Sequence, residues 1–201
     1  MMTSQTQLQD TVLEILPPQG GWSEAEYLWL SEKTSQLIEF TDGYIEVLPM
    51  PTEQHQTISG LFYIAFLRYF ATGEGVVVYA PLRLRLQSRK FREPDLMLLR
   101  KADDPRRQDR YWLGADLVLE IVSADEPARD LVEKRRDYAE AGIPEYWIVN
   151  PLDRTIIVLR LDGEMYVEHG IFGRGTSATS VLLPGFSIDV SGVFGATRAS
   201  L

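Results

Sequence analysis

The chain has 201 residues, 45% of them hydrophobic, enough to bury one substantial core, so one domain over 1–201 is expected. Its net charge of −9 argues against a protein that coats nucleic acid nonspecifically, because that affinity comes mainly from Lys and Arg neutralising phosphates. The absence of Cys excludes disulfides and thiol catalysis, and His55 and His169 alone are too few for a closed thiolate or imidazole zinc site.

No apolar stretch approaches the roughly 20 residues of a membrane span. The N-terminal run MMTSQTQLQD lacks a basic segment followed by an apolar one, so no export signal and a cytoplasmic location are expected. Residues 1 to about 20 are polar, end in Pro17, Pro18, Gly20 and Gly21, and read as a loose arm. Ser23 and Glu26 have the spacing of a capping box and predict a short helix through Tyr27, Leu28 and Leu30. Asp42-Gly43, between apolar residues from Leu37 to Leu48, predicts a β-hairpin. Ile58, Leu61, Phe62, Ala65, Phe66 and Tyr69 recur at helical spacing and predict an amphipathic helix over 54–71.

Strands are predicted next, over Val76 to Leu86, Phe91 to Leu99 and Asp116 to Ser123, with a polar loop from Lys101 to Arg110. A helix from about Pro127 to Ala141 should stop at Gly142, and Tyr146 to Asn150 reads as a short apolar strand. Asp162-Gly163 marks a second hairpin between Ile156–Leu161 and Met165–His169, and the Gly- and Ser-rich stretch from Gly170 to Ser180 reads as a loop.

Two acids stand out within this order. Glu120 lies among Leu117, Val118, Leu119, Ile121 and Val122, a strand pattern that implies cover on both faces. A lone carboxylate there is costly unless it meets a metal or a cation. Asp95 opens the run Leu96, Met97, Leu98 and Leu99, and if the two strands are neighbours the carboxylates can converge. Leu131, Lys134 and Tyr138 form a stripe that should face the sheet and bring Lys134 over both acids. Oxygen ligands with room for water and phosphate suit Mg²⁺ or Mn²⁺, and a lysine beside them completes what metal-assisted phosphodiester hydrolysis requires. The plain alternative is a buried Glu120–Lys134 salt bridge, with Asp95 capping a turn after Pro94, or Lys134 paired with Asp130 on the helix surface.

Charge is unevenly placed. Ten of the 20 basic residues lie between Tyr79 and Arg110, against five of the 29 acidic ones. Arg83, Arg85, Arg89, Lys90, Arg106 and Arg107 are therefore candidate nucleic-acid contacts, and a solvated charged face is the competing reading. Tyr111, Trp112, Tyr146 and Trp147 are expected to pack rather than to stack on bases.

From the long helix onward the order is α-β-β-β-α-β, with an acid opening the second strand and another inside the third. That order resembles the core of the PD-(D/E)XK nucleases, the restriction-endonuclease-like fold. More narrowly, IEFTDGYIEVLPMPTEQHQ, REPDLMLL, DLVLEIVSADEPARDLVEKRRDYAEAGIPEYWIVNP and LPGFSIDV resemble the Uma family of candidate restriction endonucleases, over most of the chain between Trp22 and Phe194. The resemblance implies an α/β (α+β) fold with a mixed central sheet flanked by helices, and hairpins added at both ends. It makes Asp95 and Glu120 the metal ligands, Lys134 the lysine that orients or deprotonates water, and Glu39 and His55 additional pocket residues. The superfamily's usual lysine stands two residues after the glutamate, where this chain has Val122, and the Uma family shows the same displaced lysine.

The resulting expectation is a Mg²⁺- or Mn²⁺-dependent endonuclease acting on DNA, with a homodimer implied by the family. Its rivals are an inactive nuclease-like binding or assembly module whose acids and lysine form a structural ion network, and a nuclease acting on RNA.

Overall fold

The computed structural model describes residues 16–71, 73–123 and 129–196, the side chain of Asp130 excepted; the predicted loose arm falls mostly outside them. Helix α1 (Glu24–Ser31) starts at the predicted capping box: the Ser23 side chain accepts from the Glu26 backbone N–H, and the Glu26 carboxylate accepts from that of Ser23. Strands β1 (Ile38–Thr41) and β2 (Tyr44–Val47) form the first hairpin, with Asp42 at φ 49° and Gly43 at φ 93° in the two-residue turn. Helix α2 (Glu53–Tyr69) is capped by Thr52, whose hydroxyl accepts from the His55 N–H.

The predicted strand over Val76 to Leu86 is two strands in two sheets. β3 (Val76–Tyr79) and β4 (Arg83–Gln87) are separated by Pro81, which has no N–H to give to a ladder. The same division falls on Phe91 to Leu99, where β5 (Lys90–Arg92) and β6 (Leu96–Leu99) are parted at Pro94. At that passage the Glu93 N–H leaves the ladder and donates to the Glu39 carboxylate at 3.0 Å. Both proline steps thus carry the chain from one sheet to the other.

The predicted polar loop ends in β7 (Tyr111–Trp112), followed by β8 (Leu117–Ile121). The predicted helix over 127–141 begins, among the described residues, as a π turn (Arg129–Glu133) and continues as α3 (Lys134–Glu140), with Gly142 at φ 70° beyond its end. β9 (Glu145–Asn150), β10 (Thr155–Asp162) and β11 (Met165–Phe172) follow. The stretch read as a loop contains β12 (Ser177–Thr179), which pairs with β13 (Ser187–Asp189) ahead of α4 (Val190–Gly195). Its polar composition conceals Ala178, a core residue, and Leu183 and Phe186 just beyond it belong to the same core.

The smaller sheet runs β2-β1-β5-β4-β7 and the larger β11-β10-β9-β8-β6-β3. In the larger sheet β3, β6 and β8 are successively antiparallel and β8–β9 is parallel, so the order α-β-β-β-α-β is that of α2, these three strands, α3 and β9. Every residue of β8 is buried. Leu117, Leu119 and Ile121 pack with Ile58, Phe62 and Phe66 of α2, whereas Val118 packs with Tyr138 of α3. Side chains alternate along a strand, so Glu120 shares the face of Val118 and looks toward α3. Among the described residues, no helix is long and apolar enough to cross a membrane.

Candidate active site

Strand parity and register deliver the two acids to one place. β6 and β8 pair Leu96 with Leu119 and Met97 with Val118, and one further step of that register sets Asp95 opposite Glu120. The Ile121 N–H donates to Asp95 Oδ2 at 2.7 Å, and His55 Nε2 lies 3.1 Å from the same oxygen. On α3, Lys134 Nζ lies 2.9 Å from Glu120 Oε2, and the Tyr138 hydroxyl donates to Glu120 Oε1. Burial raises the Tyr138 hydroxyl far above its usual range, and the Glu120 charge adds to the effect, so it stays a donor.

Asp95, Glu120, His55 and Lys134 all line one cavity of about 610 Å³, together with Arg129 and Glu93. Glu39 is not on that wall. It is fully buried behind it, bonded to Arg92 Nη1 at 2.8 Å and to Arg129. Burial would push this carboxyl up; Lys134, Arg92 and Arg129 outweigh it and hold Glu39 at about 2. Glu39 faces Glu46 across the hairpin, and Arg129 reconciles the like charges by pairing with both. From Arg92 the network extends to Asp137, which also takes Lys90 at 2.8 Å.

The candidate nucleic-acid contacts of the basic segment all have partners within the molecule. Lys90 ends on Asp137, Arg85 on Glu24, Arg106 on Asp104 and Asp116, and Arg89 lies 3.8 Å from Asp42. Arg83 donates to the Ser31 carbonyl and Arg107 to that of Ala102. None of these six lines the cavity. The cations that do, Arg129 and Lys134, come from the helix region. Arg129 escaped the sequence reading, although the opposed Glu39 and Glu46 called for a cation nearby. Tyr111, Trp112, Tyr146 and Trp147 pack among other aromatic and aliphatic side chains.

Glu93 was also not singled out. Its Oε2 is buried with no hydrogen-bond partner among the described residues, and Arg83 Nε stands 3.6 Å from Oε1. Burial raises its pKa from the ordinary 4.5 to about 8, against the pull of Arg83. An acid raised on folding stabilises the fold fully below its unfolded value and loses that contribution as pH rises from 4.5 through 8. Glu93→Gln should therefore gain on the wild type by about 1.4 kcal/mol per pH unit across that window. Urea melts at pH 5, 6, 7 and 8 measure it; parallel stability curves for the two proteins would mean that Glu93 is charged in the native state.

Two carboxylates opposed on one cavity wall form a hard-oxygen donor set that suits Mg²⁺ or Mn²⁺. Among the described residues no group of three His, Asp or Glu side chains is arranged to hold a metal. Asp95 and Glu120 would thus supply two ligands, leaving the rest to water and phosphate, the usual pattern for Mg²⁺.

The chain matches the profile of the Uma2 family, described as "Putative restriction endonuclease", over residues 9–191. No protein of curated function matches it. Among solved structures it is similar to a putative nuclease belonging to DUF820 from Anabaena variabilis, with a TM-score of 0.67 and 16% identity over 84% of this chain and 97% of that one. At that identity the likeness establishes a shared fold.

Proposed function

The chain belongs to the Uma2 family of restriction-endonuclease-like proteins, and from that premise we propose that it is a Mg²⁺- or Mn²⁺-dependent endonuclease hydrolysing phosphodiester bonds in DNA. The observation that carries the proposal is that Asp95, just ahead of β6, and Glu120 of β8, with Lys134 on Glu120, line one cavity. When bound by the two acids, a divalent ion would polarise the phosphate and make a bound water more acidic.

The chain's own residues divide the remaining work. Ile121 fixes the Asp95 carboxylate through its N–H, and His55 touches the same oxygen from α2. Lys134, held by Glu120, would orient the attacking water or take its proton, and as the ammonium it would offset the negative charge that builds on the phosphoryl oxygens. Arg129, fixed by Glu39 and Glu46, brings a second positive charge to the cavity wall.

One observation favours a second reading. Both oxygens of Glu120 are already engaged, one by Lys134 and the other by Tyr138, as they would be in a purely structural ion network. Metal titration separates the two. Calorimetry with Mn²⁺ should show a site in the wild type that is lost in Asp95→Asn and in Glu120→Gln, with the fold unchanged by circular dichroism. Plasmid and oligonucleotide cleavage should require Mn²⁺ or Mg²⁺ and vanish in Asp95→Ala. A wild type that takes up no metal at millimolar concentration has no metal mechanism.

A further inference from the structure

Beside the two acids the cavity has an aromatic wall that hydrolysis itself does not use. Tyr79 is the last residue of β3, the edge strand of the larger sheet, and the next residue, Ala80, donates its N–H to the Asp95 carbonyl at 3.2 Å. Its ring meets Tyr63 of α2 edge to face, with centroids 4.9 Å apart and planes at 85°. Tyr63 thereby steadies the Tyr79 ring without covering it: Tyr79 keeps 56% of its surface exposed. One turn before Tyr63 on the same helix, Gly60 also lines the cavity, and a Cβ built there would meet nothing within 4 Å. Met50 and Leu152, both exposed, continue the apolar lining.

We propose that Tyr79, braced by Tyr63, is a stacking platform for an unpaired base next to the scissile phosphate, so that the substrate is DNA that is single-stranded or locally unpaired. The proposal rests on the phosphodiesterase reading above and specifies its substrate. Three observations carry it. The ring lies one residue from the backbone bond to Asp95, so a nucleotide whose phosphate reaches the acids has its base within reach of Tyr79. The cavity, at about 610 Å³, is of the size that takes up one small-molecule-sized group, for which the usual range is about 300–1,000 Å³. The third is charge: Arg85, Lys90 and Arg106 are bonded to carboxylates within the molecule, Arg83 to a carbonyl, and none of them lines this cavity, so affinity at the cavity must draw on another source besides Arg129 and Lys134.

Stacking is that source. A base in a duplex has both faces covered by its neighbours, whereas an unpaired base can lay one on an aromatic ring. Such contacts contribute about 1–3 kcal/mol per base and tolerate any sequence. The open space at Gly60 leaves room beside the ring pair that a side chain would have filled.

The test uses the full-length protein in chelator, so that binding is read without cleavage. Oligonucleotides carrying 2-aminopurine are offered as a single strand, as the duplex of the same sequence and as that duplex with an unpaired bulge. The single strand and the bulge should bind at least about tenfold more tightly than the duplex, with 2-aminopurine emission changed by stacking. Tyr79→Ala should weaken single-strand binding by about 5- to 150-fold, the range that 1–3 kcal/mol per base implies. Tyr79→Trp should retain it, and Tyr79→Leu, which keeps apolar bulk without a ring, should not. Equal affinity for single strand and duplex, or a Tyr79→Ala variant within twofold of wild type, overturns the proposal. Cleavage of the same oligonucleotides in Mn²⁺ is scored separately. Cleavage that ignores Tyr79 removes the platform and leaves the hydrolase, whereas Tyr79-dependent binding with no cleavage of any substrate removes the hydrolase and leaves the platform.

Discussion

Lys134→Ala should yield a folded protein that binds Mn²⁺ at least as well as the wild type and cleaves DNA about 10²–10⁴-fold more slowly, the usual loss when a positioned acid or base is removed. The metal affinity should hold or rise because the ammonium 2.9 Å from Glu120 competes with the ion for that carboxylate. Lys134→Arg should be poor as well, since a guanidinium does not give up its proton and reaches differently. Val122 permits a sharper experiment. It has the parity of Glu120 and Val118, packs in the same cluster and lines the cavity. A lysine placed at 122 in the Lys134→Ala background would project onto the same face, and partial recovery of turnover would show that the function depends on an ammonium at Glu120 and not on α3 itself. Near-normal cleavage by Lys134→Ala would assign the lysine a structural role only.

Glu39→Gln should be the most damaging single change to stability, costing about 3–5 kcal/mol at pH 7, because it leaves the buried Arg92 and Arg129 facing a neutral amide. The pH dependence carries the sign of a depressed acid. Glu39 contributes fully above its unfolded value near 4.5, and the contribution disappears as pH falls through about 2. The gap between wild type and Glu39→Gln in urea melts should therefore be constant near neutrality and close on acidification below pH 4.5. A gap under about 1 kcal/mol at pH 7 would mean that the two guanidiniums find other partners.

Local rules carried much of the architecture into view. The Ser23 cap, the Asp42-Gly43 turn and the spacing of α2 are decided by neighbours in sequence, so they could be read there. Glu120 could be read too, since a carboxylate inside a run of β-branched and aliphatic residues announces a compensating partner. What escaped depends on residues far apart in the chain. Strand periodicity runs smoothly through Pro81 and Pro94, and only the sheet assignment reveals that each proline marks a change of sheet. The partners of the basic segment were out of view too, because its carboxylates lie elsewhere in the chain: Glu24 for Arg85, Asp137 for Lys90 and Arg92. Charge counted along a chain cannot tell a cation facing solvent from one bonded 61 residues away.

The π turn ahead of α3 sets a helical phase. Turns closed by i→i+5 bonds stack residues five apart along the axis, whereas α-helical winding throws them to different sides. Arg129 and Lys134 are five apart, and both reach the cavity and bear on Glu39. The same five-residue spacing wound as ordinary α-helix could keep the lysine over Glu120 or the arginine between Glu39 and Glu46, but not both. The wide winding of this segment is thus as much a requirement of the site as the identity of any residue in it, and it leaves the exposed Val132 free to vary.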